Sequence, residues 1–317
     1  MNPYAIIDLH CDTLTGCGCY APQPGTDSLN DPRKMLSLDG LPENVHWAQF
    51  FAIFIPDELR GQEAIGFFEK FHREFQQQTR NYSHKILSCR TWREISDAWD
   101  QHKTAGILAV ENGSVLAGRL ERVQTLADAG VRALTLTWNG ENELGSGNAT
   151  EHGLTPLGRE AIPELERAGI LADVSHLNDA GLEDVLKLAR KPFLATHSNA
   201  RAVCPHKRNL TDEQIRELVR RGCLIGLNYS VHFLKEGGQG AGLDDLMRHV
   251  EYFFRLGAES CLALGSDYDG TDVPPELDRA GRAPALLDYF LARGLSQRQA
   301  EGILYQNAQA FFQKNLV

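Results

Sequence analysis

His10 and Asp12 stand two residues apart at the end of an apolar run, Ile6-Ile7-Asp8-Leu9-His10-Cys11-Asp12. In an extended strand, residues i and i+2 point the same way, so an imidazole nitrogen and a carboxylate oxygen are aimed at one point. That is half of a metal site; taken alone it is equally a buried histidine hydrogen-bonded to an aspartate. Four more titratable residues each close a short apolar run. Glu111 follows Ile107-Leu108-Ala109-Val110, and His176 follows Leu171-Ala172-Asp173-Val174-Ser175. His197 follows Phe193-Leu194-Ala195-Thr196, and Asp267 follows Leu262-Ala263-Leu264-Gly265-Ser266. One strand-end histidine or aspartate is more often a satisfied polar group than a ligand. Six of them on five strand ends carry more weight: three imidazoles and three carboxylates suit two divalent ions, with one carboxylate bridging. Cys17 and Cys19 near Cys11 offer a weaker thiolate alternative, because the C-x-C spacing lacks a second cysteine pair.

The elements that must position these residues are legible from periodicity. Eight apolar, β-branched runs read as strands: 5–10, 46–55, 105–111, 132–138, 170–176, 192–197, 222–229 and 261–267. Amphipathic patterns of 3.6-residue period lie between them, at 62–78, 116–129, 157–168, 180–189, 212–221 and 243–256. Thr211 with Gln214 three residues later predicts a capping box. Gly130, Gly169, Gly222 and Gly257 each end a helical pattern just before a strand, as C′ glycines do. Near-continuous apolar strands alternating with amphipathic helices predict a parallel sheet covered by helices. Eight such units predict a closed (β/α)8 TIM barrel, whose chemistry gathers at the C-terminal strand ends. An open doubly wound sheet is the runner-up, without support from any G-x-G-x-x-G after a strand. The expected organisation is a single domain over 1–317, with an excursion at about 17–45 and two extra helices in about 283–317.

Composition narrows the partners. The chain has 317 residues, 42% hydrophobic and 23% charged, with a formal net charge of −10. Acidity argues against nucleic-acid binding and against a polybasic membrane anchor. No window approaches a membrane span, and Met1-Asn2-Pro3-Tyr4 lacks the basic start of an export signal. Seven cysteines cannot all pair; free thiols in a reducing, cytoplasmic setting are expected.

The motifs HCDTL, VENG, LTLTWN, GLTPLG, DVSHLN, THSNARAVCPHKRNL and GSDYDG, in this order over roughly residues 5 to 310, resemble the membrane (renal) dipeptidase family. These are the binuclear zinc M19 peptidases of the amidohydrolase superfamily, here in a soluble bacterial-type form. The resemblance implies a (β/α)8 barrel and a metallo-dipeptidase that hydrolyses L-Xaa-L/D-Xaa dipeptides with a metal-bridging hydroxide. It implies two zinc ions, one on His10 and Asp12 with Asp267 beside it, one on His176 and His197, with Glu111 bridging. Asp267 then serves as general acid and base, and Arg208 holds the substrate's C-terminal carboxylate. Asn228 and Tyr229 are expected to line the pocket. The family's mammalian members carry a histidine directly after L-T-L-T, where this chain has Trp138. An indole N–H donates one hydrogen bond and takes no charge. His152, later in the same loop, is a candidate to reach back into the mouth; otherwise it is a solvated loop histidine. Trp138 also keeps open a catalytically weakened metal-binding homologue. Deacylation of N-acyl amino acids or lactone hydrolysis are rival amidohydrolase activities. The expected partners are small dipeptides, with neither nucleic acid nor membrane, and the resemblance allows a homodimer.

Overall fold

The computed structural model describes residues 4–16 and 28–317. Cys17, Cys19 and the first part of the 17–45 excursion lie outside these residues. The strands are β1 (Ala5–Cys11), β2 (His46–Phe54), β3 (Ile86–Cys89), β4 (Thr104–Glu111), β5 (Val131–Thr135), β6 (Leu171–Asp173), β7 (Leu194–Ala195), β8 (Leu224–Leu227) and β9 (Leu262–Leu264). All pair in parallel, in the order β2-β1-β9-β8-β7-β6-β5-β4, and β2 pairs with β4 to close the ring. An eight-stranded barrel results, and the open-sheet alternative falls.

β3 is a ninth strand that the apolar pattern missed. Ile86–Cys89 pairs with Thr104–Ile107 of β4, and β5 takes over the same edge at Leu108. It is short and only half buried, with Leu87 part-exposed and Ser88 exposed, so it shows no continuous buried run. Every residue of β1 and β4 is buried, which is why those strands read as unbroken apolar stretches.

The expected helices form as α1 (Gly61–Asn81), α3 (Glu121–Asp128), α4 (Pro156–Ala168), α5 (Asp179–Leu188), α6 (Asp212–Arg220) and α8 (Leu243–Arg255). α2 (Trp92–Asp100), opened by a Thr91–Glu94 capping box, and the single turn α7 (Val231–Leu234) were not foreseen. The tail holds α9 (Ala285–Ala292) and a continuous helical body of α10 (Gln297–Glu301), a π-turn at Gly302–Gln306 and α11 (Asn307–Asn315). The four predicted C′ glycines all take positive φ, from 66° to 96°.

The part of the excursion from residue 28 onward is tied to the barrel. Asp269 is buried, and its carboxylate accepts from Thr13 Oγ1 at 2.7 Å, Met35 N at 2.8 Å and Leu36 N at 3.4 Å. The described cysteines Cys11, Cys89, Cys204, Cys223 and Cys261 are buried free thiols. Among the described residues no helix is long and apolar enough to cross a membrane.

The Thr211 box forms as expected: Gln214 N donates to Thr211 Oγ1, and Thr211 N donates to Gln214 Oε1. Replacing Thr211 with Ala is expected to lower unfolding free energy by about 1 kcal/mol while leaving catalysis intact. Denaturant titration alongside an activity assay checks this.

Candidate active site

β1 delivers the first two residues. Asp8, on the same face as His10 and two residues before it, is not a ligand but a strut. Its buried carboxylate accepts from Gln49 Nε2 at 2.9 Å, Ser266 N at 2.8 Å and Ser266 Oγ at 2.6 Å. This locks β1 to the loop after β9. The lock continues upward: Asp267 N donates to the His10 carbonyl and Asp12 N to the Tyr268 carbonyl. Asp267 and Asp269 both sit at positive φ, 63° and 64°, a region that aspartate enters more readily than most residues. Asp267 turns its carboxylate to the mouth; Asp269 turns its own to the excursion.

At the mouth the predicted ligands converge. His10 Nε2 lies 3.4 Å from Asp12 Oδ2, 3.6 Å from Glu111 Oε2 and 3.9 Å from Asp267 Oδ1. His176 Nε2 lies 2.8 Å from Glu111 Oε1, and His197 Nε2 lies 3.9 Å from that oxygen. The ligating atoms of His10, Asp12 and Asp267, and those of His10, Glu111 and His197, fall within 4.8 Å of one another. All six side chains are buried.

The hydrogen bonds behind the imidazoles set their tautomers. Thr196 Oγ1 donates to Asp173 Oδ2 at 2.7 Å, so toward His197 Nδ1, 2.8 Å away, it can only accept. The ring proton of His197 is therefore on Nδ1. Its Nε2 is a bare lone pair, buried and without a partner. Asn139 Oδ1 stands 3.1 Å from His176 Nδ1 and takes the ring proton there, which leaves His176 Nε2 facing Glu111 Oε1. Burial, followed by the charges of Arg208 and His10, holds His176 well below the usual imidazole range. It is therefore neutral, with its lone pair turned to the Glu111 oxygen at 2.8 Å, where a shared cation would sit. Ligating histidines are oriented in this way, by a hydrogen bond on the far ring nitrogen.

The carboxylates fit the same reading. Burial pushes Glu111 up to about 8, reinforced by the Asp12 charge. Burial raises Asp267 to about 6 against the pull of His10. Burial would depress His10, but the Asp12 and Glu111 carboxylates outweigh it and raise the ring well above its usual range. Asp12 Oδ1 and His10 Nε2 have no hydrogen-bond partner. Gly270 closes over this group: a Cβ there would stand 2.1 Å from Asp12 Oδ2 and 2.6 Å from Asp267 Oδ1. The space between those oxygens exists because residue 270 has no side chain.

The mouth holds a cavity of about 150 Å³, lined by Asp12, Glu111, His176 and Asp267 together with Phe54, Trp138, Asn139, Arg208, Phe233, Gly270 and Thr271. Arg208 is 5% exposed. Its Nε and both Nη atoms lack any partner, and its guanidinium lies 5.3 Å from the Phe233 ring centre. Burial lowers it to about 10.

The other expected pocket residues go elsewhere. Asn228 is buried behind the site: its Nδ2 donates to Asp267 Oδ2 at 3.0 Å and its Oδ1 accepts from Ser230 N. Tyr229 is buried against Tyr268, ring centres 5.8 Å apart, and neither lines the cavity. The His152 side chain is 85% exposed, 4.0 Å from Glu141, and is not brought to the mouth. Sequence reasoning missed Asn139, Thr196, Asp173 and Gly270. All four are direct neighbours of flagged residues or share their motifs, so adjacency was the available signal.

Comparison with known proteins gives the family. The profile of the membrane dipeptidase family, peptidase family M19, matches residues 1–315. A Klebsiella pneumoniae protein of the pqqA 5′ region is 32% identical over 234 residues, 70% of this chain and 86% of that protein. The structure of dipeptidase AC, an M19 metallopeptidase, superimposes with a TM-score of 0.92 at 26% identity, covering 99% of each chain. A Rhodobacter sphaeroides metallopeptidase, solved with a phosphinate mimic of L-Ala-D-Ala, gives 0.92 at 24% identity, over 99% of this chain and all of the other. The chain belongs to the membrane dipeptidase family, peptidase family M19, and is a metallo-dipeptidase on a (β/α)8 barrel.

Proposed function

We propose that this enzyme hydrolyses dipeptides using two zinc ions. His10, Asp12 and Asp267 hold one, His176 and His197 hold the other, and Glu111 bridges them. The orphaned Nε2 atoms of His10 and His197 and the free Asp12 Oδ1 support that donor set, which is the nitrogen and oxygen mixture zinc takes. Bound there, the ions supply an activated water at neutral pH and polarise the scissile carbonyl.

The observation that carries the substrate assignment is Arg208. A buried guanidinium with all its nitrogens unpartnered is costly unless an anion arrives. Its planar fork matches a carboxylate. It shares one small cavity with the metal-ligand group, so a substrate anchored by its C-terminal carboxylate presents a nearby carbonyl to that group. The reach between anchor and ligands admits a short substrate, and dipeptides follow.

Asp267 handles the proton. Asn228 holds its Oδ2, while Oδ1 faces His10. It accepts a proton from the attacking water and returns it to the leaving amine. The family match favours peptide hydrolysis over deacylation or lactone hydrolysis, and the carboxylate anchor speaks against lactones.

Three outcomes are expected. Zinc-loaded protein carries two zinc by elemental analysis and releases amines from dipeptides but not from tripeptides; metal near zero without rescue, or tripeptide cleavage, would contradict the assignment. Arg208→Met raises KM for dipeptides by about 100-fold, the loss of charge-assisted hydrogen bonds worth about 2.7 kcal/mol, with zinc content unchanged. Gly270→Ala keeps its circular dichroism spectrum but retains less than half of the wild-type zinc, because its Cβ claims the space between Asp12 and Asp267.

A further inference from the structure

We propose that Phe54 and Trp138 form the subsite for the substrate's N-terminal side chain and select apolar groups there. The assignment rests on the dipeptidase reading above. Around the barrel the strand order is β1, β2, β4, β5, β6, β7, β8, β9. Phe54 closes β2 and Trp138 follows β5 by three residues, so the two flank β4 and Glu111. Arg208 follows β7 and Phe233 lies in α7 after β8, on the far side of the ring. With the carboxylate on Arg208 and the scissile carbonyl at the central ligands, the N-terminal residue falls on the Phe54 and Trp138 side.

That side is an aromatic wall. The two rings meet edge to face, centres 4.9 Å apart at 63°, an arrangement favoured by the ring quadrupoles. The wall is held from behind. Phe54 N donates to Thr15 Oγ1, and Asn139, next to Trp138, is bound to His176 and Asn148. Gly147 packs so closely that a Cβ there would stand 1.9 Å from the Trp138 carbonyl. The wall carries no charge of its own to pair with a charged side chain. Of the cavity lining on this side, only the Asn139 amide and the Trp138 indole N–H are polar and uncommitted to metal, and neither is charged. Glu141 and His152, on the same loop, are exposed and outside the lining. A charge placed against the wall would be desolvated without a partner, whereas an apolar side chain would gain contact area.

The test uses the zinc-loaded full chain with Leu-Ala, Gly-Ala, Asp-Ala and Lys-Ala. It adds calorimetric binding of phosphinate mimics of Leu-Ala and Gly-Ala. Wild-type kcat/KM is expected to favour Leu-Ala over Gly-Ala by about tenfold or more, and over Asp-Ala by about a hundredfold. Trp138→Phe should keep the Leu over Gly preference. Trp138→Ala should shrink it to about threefold or less, and Trp138→Glu should raise Lys-Ala relative to Leu-Ala. Equal turnover of Leu-Ala and Gly-Ala by the wild type, or a uniform loss on all four substrates in Trp138→Ala, would overturn the subsite. Tighter binding of the leucine mimic, abolished in Trp138→Ala, with no dipeptide cleaved would uphold the subsite and remove the dipeptidase reading. Equal binding of the two mimics with no cleavage would remove both.

Discussion

Three buried carboxylates packed against three buried imidazoles is an arrangement that water cannot relieve and that hydrogen bonds do not. Asp12, Glu111 and Asp267 repel one another in a site from which solvent has been taken away. The Nε2 lone pairs of His197 and His176 add to this acceptor-rich group, because their ring protons are committed on Nδ1, away from the cluster. A species that joins these Nε2 atoms to the carboxylate oxygens is positive and accepts several lone pairs. A divalent cation is that species. The rest of the barrel mouth is built to hold these lone pairs where they are.

The contrast with neighbouring aspartates makes the point sharper. Asp8, Asp173 and Asp269 are as buried as the ligand carboxylates, yet each is saturated by donors. Asp173 alone accepts from Thr135 Oγ1, from Ser175 N and Oγ, and from Thr196 N and Oγ1. These side chains replace ladder hydrogen bonds just where the strands stop. β7 is only two residues long, but His197 is still fixed, because Thr196 N reaches Asp173, His197 N reaches Ser175 Oγ and Ser198 N reaches Gly226 O. The Thr196 carbonyl comes so near β8 and β9 that a Cβ on Gly226 or Gly265 would lie 1.9 Å from it. Backbone that dips inward at the mouth thus requires glycine on the two neighbouring strands.

This explains what was legible in the sequence. Barrel strands buried on all sides leave continuous apolar runs, so eight strands and their order could be read directly. The positions of the candidate ligands followed, because each one closes such a run. The boundaries were less legible: the runs at 170–176 and 192–197 continue past the last backbone pair, since Val174 stays buried while Asp173, Ser175 and Thr196 exchange ladder bonds for side-chain ones. β3 was hidden because a strand that fills half an edge outside the ring needs no unbroken apolar pattern. Asn228 and Tyr229 were placed at the right strand end, but facing was not recoverable: Asn228 turns inward to Asp267 and Tyr229 packs on Tyr268. His152 shows the limit of loop reasoning, because nothing in residues 139–153 announces which side chains the turn points outward.

Trp138 changes how the chemistry is divided. A histidine at this point of the mouth would offer a second group able to take or carry a proton. The indole does not titrate, and Arg208 stays protonated through neutral pH even after burial lowers it to about 10. On the mechanism proposed above, proton traffic therefore concentrates on the carboxylate of Asp267. Its two oxygens sit in unlike surroundings: Oδ2 is held by the Asn228 amide, which favours the ionised form, while burial and the nearby Asp12 charge oppose ionisation. On the proposed mechanism, the aromatic substitution across the mouth leaves the proton transfers to Asp267 and gives its own position over to contact with substrate.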